Sequence, residues 1–245
     1  MRAIEQYIHE RDQQVRENWK DKELEVGTYR FTEHLVRSNY TKNFTWMGVP
    51  ILQYPTDLMV MQELIWRIKP DYIIETGVAF GGMTLFYVNI LELIGGGTVI
   101  GIDIDVREHA RKLERNCVFY EADMRILEGS SIDPKLLEKE RMYMKGKTVL
   151  VSLDSSHTHD HVLQELKLYS PLVSVGSYIV VFDTAIEVFG HLDKNQNRPW
   201  GKGDNPGTAV REFLARGDGS FVVDKEIEQR ALLTAAPGGW LRRVK

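Results

Sequence analysis

The stretch Asp71-Tyr72-Ile73-Ile74-Glu75-Thr76-Gly77-Val78-Ala79-Phe80-Gly81-Gly82-Met83-Thr84, continued to Gly101-Ile102-Asp103-Ile104-Asp105, decides the fold. Tyr72, Ile73 and Ile74 form a short apolar run rich in β-branched side chains, as a buried parallel strand requires. Glycines then break the run. Leu85, Phe86, Val88, Ile90, Leu91 and Ile94 recur at helical spacing as far as Gly95-Gly96-Gly97, and Thr98 to Ile102 reads as a second strand that ends in Asp103. The unit is strand, helix, strand. Gly77, Gly81 and Gly82 let its first turn come close to a ligand at a helix N-terminus.

The glycine spacing narrows the ligand. A dinucleotide fingerprint would read G-x-G-x-x-G, but position 79 is Ala and the pattern is E-x-G-x-x-x-G-G. This argues against NAD. An acid two residues before the first glycine, with a second acid closing the next strand, resembles the S-adenosylmethionine site of class I methyltransferases. The resemblance implies that Glu75 lies near the methionine ammonium and that Asp103 accepts from both ribose hydroxyls. The competing reading is an α/β domain whose glycines only close a turn.

The chain has 245 residues, 43% hydrophobic and 27% charged, enough for one well-cored α/β domain with a modest extension. The expected division is a helical extension over 1–45 and a single domain over 46–245. A formal net charge of −4 supplies no general basic field for a nucleic-acid backbone, so a small-molecule substrate is expected. Cys117 is the sole cysteine, which excludes an intrachain disulfide and suits a reducing cytoplasm. The charged N-terminal segment has no signal-peptide core, and no apolar run is long enough to span a membrane. Ile4, Tyr7, Ile8, Val15 and Trp19 share one helical face, expected to lie on the chain's own domain. A dimer contact or a lid is the alternative, which leaves a homo-oligomer open.

Further along, 44–55 reads as an irregular loop and 57–68 as a helix ended by Lys69-Pro70. A third strand over 125–128 runs into Gly129-Ser130-Ser131-Ile132-Asp133, where Ser130 and Ser131 either border an adenine or cap a helix before Pro134. A fourth strand, 148–153, closes with Asp154, and Asp154-Ser155-Ser156-His157-Thr158-His159-Asp160-His161 packs carboxylates and imidazoles before an amphipathic helix. A fifth, 177–182, closes with Asp183. Active sites of open α/β sheets lie at this edge, and two carboxylates there could hold a divalent cation. His159 reads as a cap or surface residue. The 186–206 segment suits a loop that covers substrate. Ala231 to Ala235, followed by Pro237-Gly238-Gly239-Trp240-Leu241, reads as a closing strand and hairpin.

Several of these motifs together resemble the cephalosporin hydroxylase family: Pro70 to Gly77 with Gly81-Gly82, G-S-S-I-D at 129–133, L-D-S-S-H at 153–157, G-D-N-P at 203–206 and the late T-A-A-P-G-G-W-L-R-R-V. That family is similar to S-adenosylmethionine-dependent O-methyltransferases of sugars and natural products, including rhamnosyl and macrolide-sugar enzymes. The resemblance implies a Rossmann-like class I fold, a doubly wound, mostly parallel sheet with an antiparallel C-terminal hairpin strand. It implies S-adenosylmethionine as cofactor and magnesium beside it, with metal ligands at Asp154 and Asp183. Family members often have a carboxylate immediately before the second aspartate, where this chain has Phe182. The expected activity is methyl transfer to a hydroxyl of a sugar or secondary metabolite, with His157 as first candidate base, then His161, and Asp154 if no metal binds. The alternatives are an adenosyl-ligand-binding accessory protein assisting a partner enzyme and, behind it, an NAD-dependent oxidoreductase.

Overall fold

The computed structural model describes residues 2–116, 120–192, 194 and 197–245; Cys117 lies outside them. Two helices lead, α1 (Arg2–Asn18) and α2 (Lys22–Arg37), the second capped by the Asp21 side chain, which accepts from the amides of Glu23 and Leu24. A hairpin of β1 (Phe44–Trp46) and β2 (Val49–Ile51) follows where a loop was expected. Three-residue strands with Pro50 on an edge leave too little alternation to announce themselves. Next come α3 (Pro55–Ile68), β3 (Tyr72–Thr76), α4 (Gly82–Ile94), β4 (Gly97–Asp103), α5 (Glu108–Asn116), β5 (Ala122–Glu128), α6 (Glu138–Met144), β6 (Val149–Leu153), α7 (His159–Tyr169) and β7 (Tyr178–Val181). The chain ends with α8 (Ile186–Phe189), α9 (Pro206–Arg216), β8 (Phe221–Val223), α10 (Lys225–Ala231) and β9 (Trp240–Arg243).

The large sheet has the order β5-β4-β3-β6-β7-β9-β8. Its first five strands are parallel, and β9 pairs antiparallel with both β7 and β8. The mostly parallel sheet with an antiparallel end is the one the sequence implied. The closing strand is β9 alone, however, and the expected strand over 231–235 is instead the end of α10 and a turn. A short apolar run has no period of its own that separates the two.

Strand alternation divides the interior in two. Ile73, Val99, Met124, Leu150, Val180 and Phe182 face α3, α4 and the hairpin, whereas Ile74, Ile100, Val151, Ile179 and Val181 face α7 and α9. Helix α3 begins with Pro55 and ends on Lys69 in the left-handed conformation (φ +50°), just before Pro70. Helix α4 is buried along most of its length, as an interior helix between hairpin and sheet must be. Helix α1 differs from expectation. Ile4, Tyr7, Ile8 and Trp19 are all exposed, and α1 contacts the body through α10. No described helix is long and apolar enough to cross a membrane.

Candidate active site

Register sets the site. Thr76 lies opposite Ile102 on one side and Leu153 on the other, and Leu153 lies opposite Val181. Gly77, Asp103, Asp154 and Asp183 therefore leave the sheet at one edge. They line a single cavity of about 920 Å³ with Glu75, Gly82, Ser130, Ser131, His157 and His161. Helix α2, the β2 end and the segment after β7 form its outer wall.

At one end Asp103 accepts from the Ala79 amide at 2.9 Å (Oδ2) and the Asp105 amide at 3.0 Å (Oδ1). A carboxylate has about four acceptor positions, so each oxygen keeps one for a ligand hydroxyl. Ala79 takes φ +47° to make its bond, a conformation uncommon for a residue with a side chain. Asp103→Ala is expected to weaken S-adenosylhomocysteine binding by about 2 kcal/mol, roughly 30-fold, as for loss of a charge-assisted pair. Titration calorimetry measures it, and wild-type affinity would remove Asp103 from that role.

Glu75 is 2% exposed and accepts from the Thr84 hydroxyl, a partner on α4 that no sequence motif marked. Burial pushes its carboxyl up to about 8, with Asp103 adding to the rise and Thr84 opposing it. Asp57, wholly buried at the start of α3, accepts from the Ala235 amide at 2.8 Å and is pushed up to about 7, again chiefly by burial. Both folded-state values lie above the unfolded ones, so the folded chain binds more protons and stability falls as pH rises from about 4 through about 8. The ligand-free protein is expected to lose more than about 2 kcal/mol over that window. Thermal melts at pH 5.5 and 8.5 check the sign, and a higher Tm at pH 8.5 would refute it.

The glycines play unequal parts. Gly77 and Gly82 line the cavity, but a Cβ on Gly82 would lie 2.7 Å from the Pro50 carbonyl carbon, so its smallness also seats α4 against the hairpin. Gly81 is not in the cavity wall. It caps α4 in the left-handed conformation with Leu113 filling the space beside it, which corrects its expected approach to a ligand.

At the other end stand Asp154, His157 and Asp183. His157 Nε2 is 3.3 Å from Asp183 Oδ2, and the His157 ring meets Trp200 edge-on at 4.7 Å. One ligand atom from each of the three residues falls within 4.8 Å of the other two. Burial, and then the negative charges of Asp183 and Glu75, hold the Asp154 carboxyl well above its usual range. Gln53 opposes this by donating Nε2 to Asp154 Oδ2 at 2.9 Å. Asp183 has φ +56° at the second position after the strand end, held by the Phe182 amide on Leu153 and the Ile186 amide on the Asp183 carbonyl. Such strain persists where the surroundings fix it, and it concentrates at functional sites. Phe182 points the other way, buried against Trp240.

The three histidines separate. His161 Nε2 lies 2.9 Å from Ser131 Oγ and 3.2 Å from Ser155 Oγ, with buried Glu165 at 3.6 Å. It therefore sits against the Ser131 wall, while His157 stands with the aspartates. His159 is bound to α9 through Thr208 and Glu212 and joins neither group. Gln53, Thr84 and Trp200 are the residues that sequence reasoning passed over as site members. Only Trp200, an aromatic in a polar loop, carried any signal.

The comparisons agree with this architecture. Residues 38–244 match the family profile described as rhamnosyl O-methyltransferase/CmcI. The chain is 31% identical over 203 residues to a protein named rhamnosyl O-methyltransferase from Mycobacterium bovis (strain BCG / Pasteur 1173P2), covering 81% of this chain and 78% of that one. Among solved structures it is similar to CmcI in a complex described as Mg-SAM (TM-score 0.59, 18% identity, 83% of this chain and 78% of that one). It is also similar to CalS11, described as a TDP-rhamnose 3'-O-methyltransferase (TM-score 0.51, 16% identity, 77% and 78%). At those identities the two structures attest the fold alone. With the family profile spanning nearly the whole sheet and its edge, the chain belongs to the rhamnosyl O-methyltransferase/CmcI family.

Proposed function

We propose that this chain transfers the methyl group of S-adenosylmethionine to a hydroxyl of a sugar or sugar-bearing metabolite. One observation carries the reading: a single cavity joins the Glu75–Asp103 end to the Asp154–His157–Asp183 end. The first suits a cofactor with an ammonium and a ribose, and the second an acceptor whose proton must leave. Glu75 faces the ammonium, Asp103 the ribose hydroxyls, and Ser130 and Ser131 the adenine side. The rhamnosyl naming of the curated relative supports a sugar acceptor.

The sulfonium supplies an activated methyl group. The acceptor oxygen forms a bond to the methyl carbon as the carbon–sulfur bond breaks, the electron pair passes to sulfur, and the hydroxyl proton leaves. The chain must align oxygen, carbon and sulfur and provide for that proton. His157, with Asp183 at 3.3 Å to orient it, takes the proton when no cation is bound. His161, held among Ser131, Ser155 and Glu165, is placed for the adenine side instead. A divalent cation on Asp154 and Asp183 would supply Lewis acidity toward the acceptor hydroxyl.

Binding should also move a proton. An ammonium against Glu75 favours its ionised form, so S-adenosylhomocysteine binding at pH 7 is expected to release a proton. Calorimetry in buffers of different ionisation enthalpy reads this directly, and identical heats in all buffers would contradict it. The deciding experiment supplies labelled S-adenosylmethionine to the purified chain with a panel of glycosylated acceptors, rhamnosides included. Label on an acceptor oxygen is the expected result. Binding of adenosylhomocysteine without transfer to any acceptor would favour the accessory role, and binding of NADH instead would overturn the reading.

A further inference from the structure

The pair Asp154 and Asp183 supplies only two of the ligands that a divalent cation needs. We propose that His157 supplies a third ligand atom and Gln53 a fourth, making a mixed oxygen–nitrogen site that favours Mn²⁺, Co²⁺ or Zn²⁺ over Mg²⁺. The inference rests on the sheet edge being the reaction centre, and it deepens that reading by naming the class of metal.

Geometry comes first. Bonds of about 2.1 Å set at right angles or tetrahedrally put ligand atoms roughly 3.0–3.4 Å apart. His157 Nε2 and Asp183 Oδ2 are 3.3 Å apart, and one atom of Asp154 completes a group within 4.8 Å. Phe182, the residue before Asp183, is turned into the core against Trp240, so the strand offers no second carboxylate. Among the described residues, His157 is the side chain whose ligand atom groups with those of the two aspartates.

Gln53 is an independent observation. It is 3% exposed, its Nε2 donates to Asp154 Oδ2 at 2.9 Å, and its Oε1 is buried with no hydrogen-bond partner among the described residues. A buried acceptor left unpaired costs about 1–3 kcal/mol. Facing the Asp154 carboxylate, the amide presents its nitrogen. A half-turn about the last side-chain bond exchanges the two ends, and beside a cation Oε1 becomes the favoured end. One residue thus suits the site with and without the metal.

Chemistry then sets the selectivity. Mg²⁺ takes carboxylates, carbonyls and water and sheds water reluctantly, whereas imidazole suits the later first-row ions, whose affinities rise from Mn²⁺ through Co²⁺. With Nε2 committed to the ion, the ring cannot also take the acceptor's proton through that nitrogen.

The test measures metal binding itself. The full chain is titrated with MgCl₂, MnCl₂ and CoCl₂ by calorimetry, and the Mn²⁺ complex is examined by pulsed EPR for nitrogen hyperfine coupling. The expected results are Co²⁺ binding at least about 100-fold tighter than Mg²⁺, a nitrogen coupling in wild type, and loss of that coupling in His157→Gln with ~10- to 100-fold weaker Co²⁺ binding. His157→Asp, which restores an all-oxygen set, should lose the coupling while strengthening Mg²⁺ binding, and Gln53→Leu should weaken every ion. Wild type without nitrogen coupling, or a Co²⁺ affinity that His157→Gln leaves unchanged, overturns the proposal. S-adenosylhomocysteine affinity is measured on the same samples. Its absence would count against the methyltransferase reading, and its presence with the metal results reversed would count against this site alone.

Discussion

Gly77→Ala is expected to abolish S-adenosylhomocysteine binding and to destabilise the protein by about 2–4 kcal/mol. Gly77 has φ +89°, a conformation that costs a residue with a side chain roughly 1–2 kcal/mol. The added methyl would also meet a second strand end. Its carbon would lie 2.7 Å from the Asp154 carbonyl carbon and 2.9 Å from the Ser155 Cα, so backbone must move rather than a flexible side chain. The amide of Asp154 donates to the Thr76 carbonyl at 3.0 Å and ties these two ends together, which carries the displacement to Asp154. Gly95→Ala is the control. At φ +106° it has nothing within 4 Å of its added carbon, so it should cost the conformational strain only and leave binding intact. Melting curves and calorimetry on both variants check the pair, and equal losses would mean that the closeness of β3 and β6 is immaterial.

Asp154→Asn is expected to cost activity and gain stability. On the proposed reading the carboxylate belongs to the group that handles the acceptor proton or holds the cation, and removing such a group costs about 10²–10⁴ in rate. The ligand-free protein holds that same carboxylate partly buried beside Asp183 and Glu75, whose charges raise it further above its usual range. Asparagine keeps the shape and can still accept from Gln53. Relief of the like-charge repulsion should therefore raise Tm, by more as the pH rises and ionising Asp154 becomes more costly to the folded chain. A variant that is both inactive and less stable at pH 8 would show that the carboxylate is structural.

The sequence determined the central unit and the level at which its acids emerge. Strands over 72–76 and 97–103, with a helix from 82 to 94 between them, follow from local periodicity bounded by glycine, and each end falls close to where pattern placed it. Parallel pairing then brings Asp103, Asp154 and Asp183 to one edge, because strands connected by helices on their faces must run in the same direction. Short elements escaped this logic. The hairpin at 44–51 and α10 are too brief for a period to identify them.

Tertiary structure alone decided which of these residues meet. His157 and His161 are four positions apart and equivalent as letters, yet one stands with Asp183 and the other with Ser131, because α7 begins between them. Gln53 reaches Asp154 across 101 residues of sequence, and Thr84 reaches Glu75 from the helix that follows it. The turning of Phe182 toward Trp240 depends on β9 lying beside β7. Local periodicity records which face a side chain takes, whereas these contacts depend on how separate elements pack, and a pairing between distant elements leaves no period in the chain.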